Sequence, residues 1–442
     1  MQRLTAPQSE SQQRRVAGAL RAAGVGPGER VAMLLPRRVE AISAILGALR
    51  SGVIPVVLNP ALLPHERDLL LADAECSLVV AGDEGLDRLL AGEPVSDLAD
   101  APLGRPMQYT SGTTGRPKGV WTGVLSESDA RLLVEEERDA WGFCGEDVNL
   151  VCSPLHHSAP IRFASGTLLA GGDVVLLDRF DPVSFADAVR ATAPTTAFMV
   201  PTHLQRVLTS PAGVPDLASF RVLAHAGAPC PEPLKRAAID AFPAGAVWEF
   251  YGSTEGQFTV CSSAEWEARP GTVGRARPGR ALSTDADGVI WCDVPPRWRW
   301  SYWRDPERTA AAWRGSAFTV GDIGRLDDDG YLFLDGRRDD LIISGGVNVY
   351  PLEVEAAIVR YTGVEDVAVF PVDDAEWGQR VCAAVVGPSV DLAALREWLR
   401  GEVAPFKVPK QLFSVADLPR TSTGKVRRSS LAEDLGIPSS RD

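Results

Sequence analysis

The sequence has 442 residues, more than one hydrophobic core usually serves, so we expect two domains or more. A net charge of −13 at pH 7, with no basic stripe, argues against a nucleic-acid partner held by phosphate neutralisation. The seven cysteines include no Cys-x-x-Cys pair, and no run of about 18 apolar residues occurs, so we expect a cytoplasmic protein with reduced thiols and no membrane insertion.

Helices and strands alternate through the first 250 residues. We predict helices over residues 12–24, 38–50, 64–74, 127–140, 161–169, 182–191 and 231–241, and strands over residues 30–35, 53–58, 77–80, 148–152, 174–177, 196–200, 221–225 and 247–250. Residues 82–106 are rich in Gly, Asp and Pro and are predicted to be a linker. The strands are almost wholly apolar, which is typical of parallel sheets that helices cover on both faces. Ligands of such sheets gather at the carboxyl ends of the strands.

The pattern changes near residue 272, where short strands, turns and tryptophans predict a small β subdomain over residues 272–335. Further strands are predicted over residues 341–343, 367–372, 381–386 and 411–415, with helices from residue 351 and over residues 392–399. We therefore predict an α/β protein with two domains. A large N-terminal domain of βα-layered sheets takes residues 1–338, and a small, mobile α+β domain takes residues 339–442.

One glycine- and hydroxyl-rich stretch, Tyr109-Thr-Ser-Gly-Thr-Thr-Gly-Arg-Pro-Lys-Gly119, is suited to holding phosphate. Its glycines let backbone N–H groups close around an anion, and Lys118 adds a mobile positive charge. It is not a Walker A motif, because Lys118 follows proline and precedes glycine. A solvated linker is the alternative on composition alone. The predicted phosphate contacts are Thr110, Ser111, Gly112, Thr113, Thr114, Gly115 and Lys118.

Further motifs follow in a fixed order along the chain. They are Ser153-Pro-Leu-His-His157, Phe250-Tyr-Gly-Ser-Thr-Glu255, Gly321-Asp322, Gly336-Arg-Arg-Asp339 and Thr423-Gly-Lys425. Together with the glycine-rich stretch they resemble the motifs of the adenylate-forming superfamily, which comprises acyl- and aryl-CoA synthetases, adenylation domains of peptide synthetases, and luciferases. The resemblance extends over nearly the whole chain. Val320 stands where that family usually has threonine, and Pro160 stands where a glycine is common.

The resemblance implies a site for ATP and Mg²⁺. Adenine would lie between Tyr251 and the segment Gly227, Ala228 and Pro229, with its amino group on Glu249. The ribose would bind Asp322 and Arg337, and the α-phosphate would meet Gly252, Ser253 and Thr254. Glu255 and Thr110 would hold Mg²⁺. Each of three residues also has a purely structural alternative: Glu255 as a solvated loop acid, Asp322 as a turn aspartate and Arg337 as a surface arginine.

The resemblance also implies a catalytic lysine and a moving domain. Lys425 would bridge the acid and the α-phosphate, and His157 would contact the acid or gate its pocket. Asp339 would be the hinge, and Gly345 and Gly346 would line the channel for the CoA thiol. Lysine stands at only five positions, 118, 235, 407, 410 and 425, and chance in an arginine-biased composition accounts for Lys235.

These observations predict an ATP-dependent, Mg²⁺-requiring ligase that forms an acyl adenylate and passes the acyl group to CoA. The acid is expected to be aryl or hydrophobic, because the predicted walls are largely apolar or aromatic. These walls are His157, Phe163, Phe198, Met199, His225 and Phe258. The alternative acceptors are a carrier-protein thiol or an amine, and a remoter alternative is activation of nitrite in a natural-product pathway. A non-catalytic nucleotide- or acyl-binding relative is the alternative from another class. We expect a monomer or a homodimer.

Overall fold

The structure is a computed structural model that describes residues 1–110, 118–337, 340, 342–344, 347–374, 378–420 and 426–437. The first region contains β1 (Gln2–Leu4), α1 (Ala6–Ala22), β2 (Arg30–Leu34), α2 (Glu40–Arg50), β3 (Ile54–Val57), α3 (Pro64–Ala74), β4 (Leu78–Ala81) and α4 (Gly82–Leu90). The last three strands named, β2, β3 and β4, form a parallel sheet in the order β3-β2-β4. The fold is α/β, as predicted.

Two predictions in this region were wrong. The first helix begins at Ala6 rather than at residue 12, because Thr5 and Gln8 form a capping box that satisfies N–H groups at the helix start. The predicted linker over residues 82–106 contains α4, whose residues Leu86 and Leu89 are buried in a hydrophobic core. The aspartates of this segment, Asp83 and Asp87, lie on the exposed face of an amphipathic helix.

The central region builds the sheet that carries the predicted motifs. It contains β5 (Gln108–Thr110), β6 (Lys118–Trp121), α5 (Glu127–Trp141), β7 (Val148–Val151), α6 (Ser158–Leu169), β8 (Asp173–Leu176), α7 (Pro182–Thr192), β9 (Thr196–Met199), α8 (Pro201–Leu208), β10 (Val222–His225), α9 (Glu232–Ala241) and β11 (Val247–Glu249). Strands β8, β7, β9, β10 and β11 are parallel neighbours in that order. Their carboxyl ends therefore lie along one edge of the sheet.

The following region extends this sheet and adds smaller ones. It contains β12 (Thr259–Ser262), α10 (Ser263–Ala268), β13 (Thr272–Ala276), β14 (Ala281–Thr284), β15 (Ile290–Asp293), β16 (Ser301–Tyr302), α11 (Pro306–Ala312), β17 (Trp313–Arg314), β18 (Ala317–Phe318), β19 (Asp322–Leu326) and β20 (Tyr331–Arg337). Strands β12, β13, β20 and β19 continue the main sheet in antiparallel fashion, and β14, β15, β18 and β17 form a separate sheet. Strand β16 pairs with β6 and thereby joins this region to the β5–β6 hairpin.

The C-terminal region has its own sheet and core. It contains β21 (Ile342–Ser344), β22 (Val347–Val349), α12 (Pro351–Ile358), β23 (Asp366–Asp374), β24 (Gly378–Val386), α13 (Leu392–Glu402), β25 (Gln411–Val415) and α14 (Leu431–Asp434). The strands order as β22-β21-β24-β23, with β25 parallel to β24. The predicted domain boundary between residues 338 and 339 lies outside the described residues. No helix in the described part of the chain is long and apolar enough to cross a membrane.

Candidate active site

The carboxyl ends of β10 and β11 lie side by side, with His225 opposite Glu249. The predicted adenine wall Gly227-Ala228-Pro229 follows β10, and residues 251–255 follow β11. Gly227 has a φ of +91°, a conformation that glycine adopts without strain. The two segments that the sequence assigned to adenine thus leave neighbouring strands at the same edge of the sheet.

Asp322 is held by Tyr251. The Tyr251 hydroxyl donates to Asp322 Oδ2 at 2.5 Å, and both residues are buried. Asp322 begins β19 directly opposite Arg337 of β20, so the two predicted ribose residues are cross-strand neighbours. The hydrogen bond between Tyr251 and Asp322 joins positions 71 residues apart, and no local pattern in the sequence indicated it.

Glu255 is held by a residue that the sequence analysis missed. The Tyr302 hydroxyl donates to Glu255 Oε1 at 2.9 Å, and burial, followed by the Glu255 charge, raises the pKa of Tyr302. Arg105 donates from both terminal nitrogens to the Glu255 carbonyl oxygen at 3.2 and 3.1 Å. Burial lowers the pKa of Arg105 to about 10, so it stays cationic at neutral pH. The sequence signal for Tyr302 was a tyrosine among several tryptophans, because a tyrosine buried with them needs a hydrogen-bond partner for its hydroxyl group.

The predicted phosphate loop is framed by the β5–β6 hairpin. Thr110 and Lys118 are paired across this hairpin, so they hold the two ends of the loop together. Lys118 Nζ lies 5.2 Å from the centre of the Tyr302 ring, which brings its charge next to the residue that holds Glu255. Several predicted residues lie outside the described part of the chain: Ser111, Gly112, Thr113, Thr114, Gly115, Asp339, Gly345, Gly346 and Lys425.

His157 immediately precedes α6 and occupies its N-cap position. Its ring centre lies 4.2 Å from that of His156, whose main-chain oxygen accepts a hydrogen bond from Gln108 Nε2 at 2.9 Å. That bond connects the histidine segment to β5. Burial, with a smaller contribution from the Arg37 charge, lowers the pKa of His156 to about 4, so His156 is neutral at physiological pH. The histidine segment is thus attached to the hairpin that frames the phosphate loop.

Glu249 is bound by Lys235, which the sequence analysis had attributed to chance. Lys235 Nζ lies 3.2 Å from Glu249 Oε2 and 2.5 Å from His225 Nε2, and Lys235 has no exposed surface. This buried ion pair corrects the interpretation of Lys235 as an incidental residue. We call Glu249, Glu255 and Asp322 the paired carboxylates, because each accepts a hydrogen bond from an identified side chain.

Most of the predicted acid-pocket walls are packed into a hydrophobic interior. Phe163 and Phe198 are 1% and 7% exposed, and Trp141 and Phe250 complete what we call the aromatic cluster. The rings of Phe163 and Phe250 stack with centres 6.5 Å apart. The cluster lies between the strand ends and helices α5 and α6, close to the residues that follow β11.

A buried charge centre borders the aromatic cluster. Glu137 Oε2 lies 3.3 Å from Arg162 Nε, and Glu137 Oε1 lies 3.0 Å from Arg277 Nη1. Burial alone would raise the pKa of Glu137, but the two guanidinium groups lower it overall. The guanidinium carbon of Arg162 lies 4.9 Å from the Phe250 ring centre, within the range of a cation–π contact.

Two protein-family models match most of the chain. A model described as AMP-binding enzyme matches residues 1–103 and 106–287, and one described as AMP-binding enzyme C-terminal domain matches residues 353–425. The chain belongs to the AMP-binding enzyme family. A feruloyl-CoA synthase from an Amycolatopsis species is 35% identical over 462 residues, covering 96% of this chain and 92% of that protein. The resemblance to the adenylate-forming superfamily is therefore confirmed.

Solved structures resemble the whole chain. The o-succinylbenzoate-CoA synthetase of Bacillus subtilis in complex with ATP and magnesium has a TM-score of 0.83 at 27% identity, covering 96% of this chain and 94% of that one. The amide bond synthetase McbA from Marinactinospora thermotolerans has a TM-score of 0.84 at 28% identity, covering 97% and 94%. The prediction of an ATP- and Mg²⁺-dependent acyl- or aryl-CoA ligase is confirmed at the level of that class.

Proposed function

We propose that this protein activates a hydrophobic or aryl carboxylic acid and transfers it to CoA. The acid carboxylate attacks the α-phosphate of ATP and releases pyrophosphate, and the CoA thiol then displaces AMP from the acyl adenylate to form a thioester. The observation that carries the proposal is the pair of carboxylates at the edge of the sheet, Asp322 held by Tyr251 and Glu255 held by Tyr302. Such preorganised groups orient a charged nucleotide without moving during the reaction.

The nucleotide is proposed to lie across the ends of β10 and β11. Tyr251 and residues 227–229 flank adenine, and Glu249 accepts from its amino group. Asp322 and Arg337 bind the ribose, which their cross-strand pairing supports. Residues 252–254 bind the α-phosphate, while Lys118 and residues 110–115 bind the β- and γ-phosphates.

Mg²⁺ is assigned to Glu255 and Thr110 together with phosphate oxygens. Mg²⁺ commonly takes one or two protein carboxylates and completes its shell with phosphate and water, so a single buried carboxylate suits it. The ion would neutralise charge that develops on the phosphates.

The second domain is proposed to comprise residues 339–442 and to turn about Asp339. Lys425 would act in adenylate formation, and Gly345 with Gly346 would admit the CoA thiol in thioester formation. His157, which precedes α6 next to the β5 hairpin, is assigned to the acid. The likeness to an amide bond synthetase makes an amine the second candidate acceptor, in which case the same adenylate yields an amide.

Pyrophosphate release with ATP, Mg²⁺ and a panel of carboxylic acids, run with and without CoA, tests the proposal. We expect release with aryl or medium-length hydrophobic acids, and acyl-CoA as the product by mass spectrometry. Release that CoA does not accelerate, together with an amide formed from an added amine, would favour the second candidate. No release with any acid would contradict both.

Replacing Lys425 by alanine is expected to lower the rate of pyrophosphate release by about 10²–10³, because a preorganised charge at the reacting phosphate is lost. ATP affinity, measured by calorimetry, should change little. Lys410→Ala is the matched control, since it removes a lysine from the same region outside the motifs. An unchanged release rate in Lys425→Ala would contradict the assignment.

A further inference from the structure

The ion pair between Lys235 and Glu249 lies beneath the proposed adenine site. Lys235 belongs to α9 and is 0% exposed, and Glu249 ends β11. Burying an ammonium group without a partner is costly, so such a lysine is kept only where its surroundings compensate the charge. Its nitrogen contacts Glu249 Oε2 and His225 Nε2, which stand opposite each other on neighbouring strands.

The alternation of side chains along the strands explains how these three residues meet. Leu223 of β10 and Val247 of β11 pack in the same core as Ala238 of α9. Side chains two residues further along a strand point to the same face, which directs His225 and Glu249 toward α9 as well. Lys235 therefore lies under the last residues of both strands, just before the two segments proposed to enclose adenine.

The group formed by Lys235, Glu249 and His225 contains one cation, Lys235, and one anion, Glu249. Burial, then the charge of Lys235, holds the pKa of His225 well below its ordinary value, so His225 is neutral and its Nε2 accepts from the ammonium group. Burial raises the pKa of Glu249, and Lys235 opposes that effect. The nearby thiols of Cys230 and Cys261 have their pKa raised to about 12, mainly by burial, and stay uncharged. Glu249 is thus the counter-ion of Lys235.

We infer that Lys235 is a positioning residue for base selection: it fixes Glu249 through Oε2, so that Oε1 accepts a hydrogen bond from the 6-amino group of an adenine nucleotide. Within the described residues, Glu249 accepts its hydrogen bond from Lys235 through Oε2, not through Oε1. A 6-oxo purine such as hypoxanthine presents a carbonyl oxygen at that place, and two acceptors repel each other. The inference rests on the proposed nucleotide site and adds a determinant of ATP specificity to it.

Calorimetric binding of ATP and of inosine triphosphate, without acid or CoA, tests this inference. The unmodified protein should bind ATP about tenfold to a hundredfold more tightly than inosine triphosphate, which is the effect of one hydrogen bond to a charged group. In Lys235→Met the two nucleotides should bind almost equally, chiefly because ATP affinity falls. Lys235→Arg, which restores the charge, should recover part of the preference. Arg236→Met is the control, since Arg236 is the next residue of α9 and half exposed.

A second variant covers the case in which Lys235→Met leaves Glu249 as an uncompensated buried charge and the protein does not fold. The double variant Lys235→Met with Glu249→Gln contains neither charge, and neutral replacements of both partners are tolerated far better than the loss of one. It should fold and bind both nucleotides alike. A folded Lys235→Met or double variant that keeps the ATP preference would overturn the inference. If the unmodified protein binds ATP more tightly than inosine triphosphate but releases no pyrophosphate with any acid, only the proposed function is contradicted.

Discussion

The paired carboxylates and the aromatic cluster lie at the same edge of the sheet but are built in opposite ways. Each paired carboxylate accepts a hydrogen bond from a donor distant in sequence or on another element: Tyr251 for Asp322, Tyr302 for Glu255 and Lys235 for Glu249. Phe163, by contrast, contacts the three other rings of the aromatic cluster. Apart from the buried ion pair of Lys235 and Glu249, a change in the polar part should therefore act mainly on ligands, whereas a change in the aromatic part should act mainly on stability.

Phe163→Ala is expected to have the largest effect and to test the aromatic side of this comparison. Removing a fully buried phenylalanine leaves a cavity and typically costs about 3–5 kcal/mol of unfolding free energy. Urea denaturation measures that loss. The cavity would lie beside the proposed acid site, so the activity that remains should shift toward bulkier acids in the pyrophosphate assay.

Phe406→Ala provides the matched control, because Phe406 is 39% exposed and its truncation should leave the unfolding free energy within about 0.5 kcal/mol. If Phe163→Ala were as stable as the unmodified protein, the packing described for the aromatic cluster would be wrong. If its acid range stayed unchanged, the cluster would not border the acid site.

Glu255→Gln tests the polar side and should reverse this pattern. The substitution keeps the size of the side chain and removes the charge assigned to Mg²⁺, so the rate of pyrophosphate release should fall by about 10²–10³. Stability should change much less than in Phe163→Ala. Rates measured across a Mg²⁺ titration, with the exposed Glu267→Gln as control, check the expectation. A normal rate at ordinary Mg²⁺ would remove Glu255 from the metal site.

The contrast also explains what the sequence could predict. Local patterns located most strands to within a few residues and placed Tyr251 and Glu255 just past a strand end, because an apolar strand followed by glycine and hydroxyl residues is a short-range signal. Helix α8 was missed, since it begins at Pro201 almost directly after β9 and has only eight residues, too few for a clear helical period. The sequence also identified Phe163 as apolar, but it does not reveal how densely a side chain packs.

The donors to the paired carboxylates could not be predicted in the same way. Tyr302 is 47 residues from Glu255 and reaches it because β16 pairs with β6, a contact between distant parts of the chain. Lys235 is on a helix and reaches Glu249 only once α9 packs on the sheet. The motif residues that carry the chemistry can thus be identified from a single sequence. The residues that donate hydrogen bonds to them cannot, because those contacts form only when distant parts of the chain pack together.

The smallest expected effects come from removing single hydroxyl groups, and they separate two of the carboxylates from each other. Tyr251→Phe keeps the ring proposed to flank adenine but removes the donor to Asp322, so KM for ATP should rise about threefold to tenfold with Mg²⁺ saturating. Tyr302→Phe removes the donor to Glu255, so the Mg²⁺ concentration for half-maximal rate should rise by a similar factor with ATP saturating. KM for the acid should stay constant in both variants, because neither hydroxyl belongs to the aromatic side of the site. If both substitutions changed the same parameter, Asp322 and Glu255 would share one role, and the proposed division between ribose and metal would be wrong.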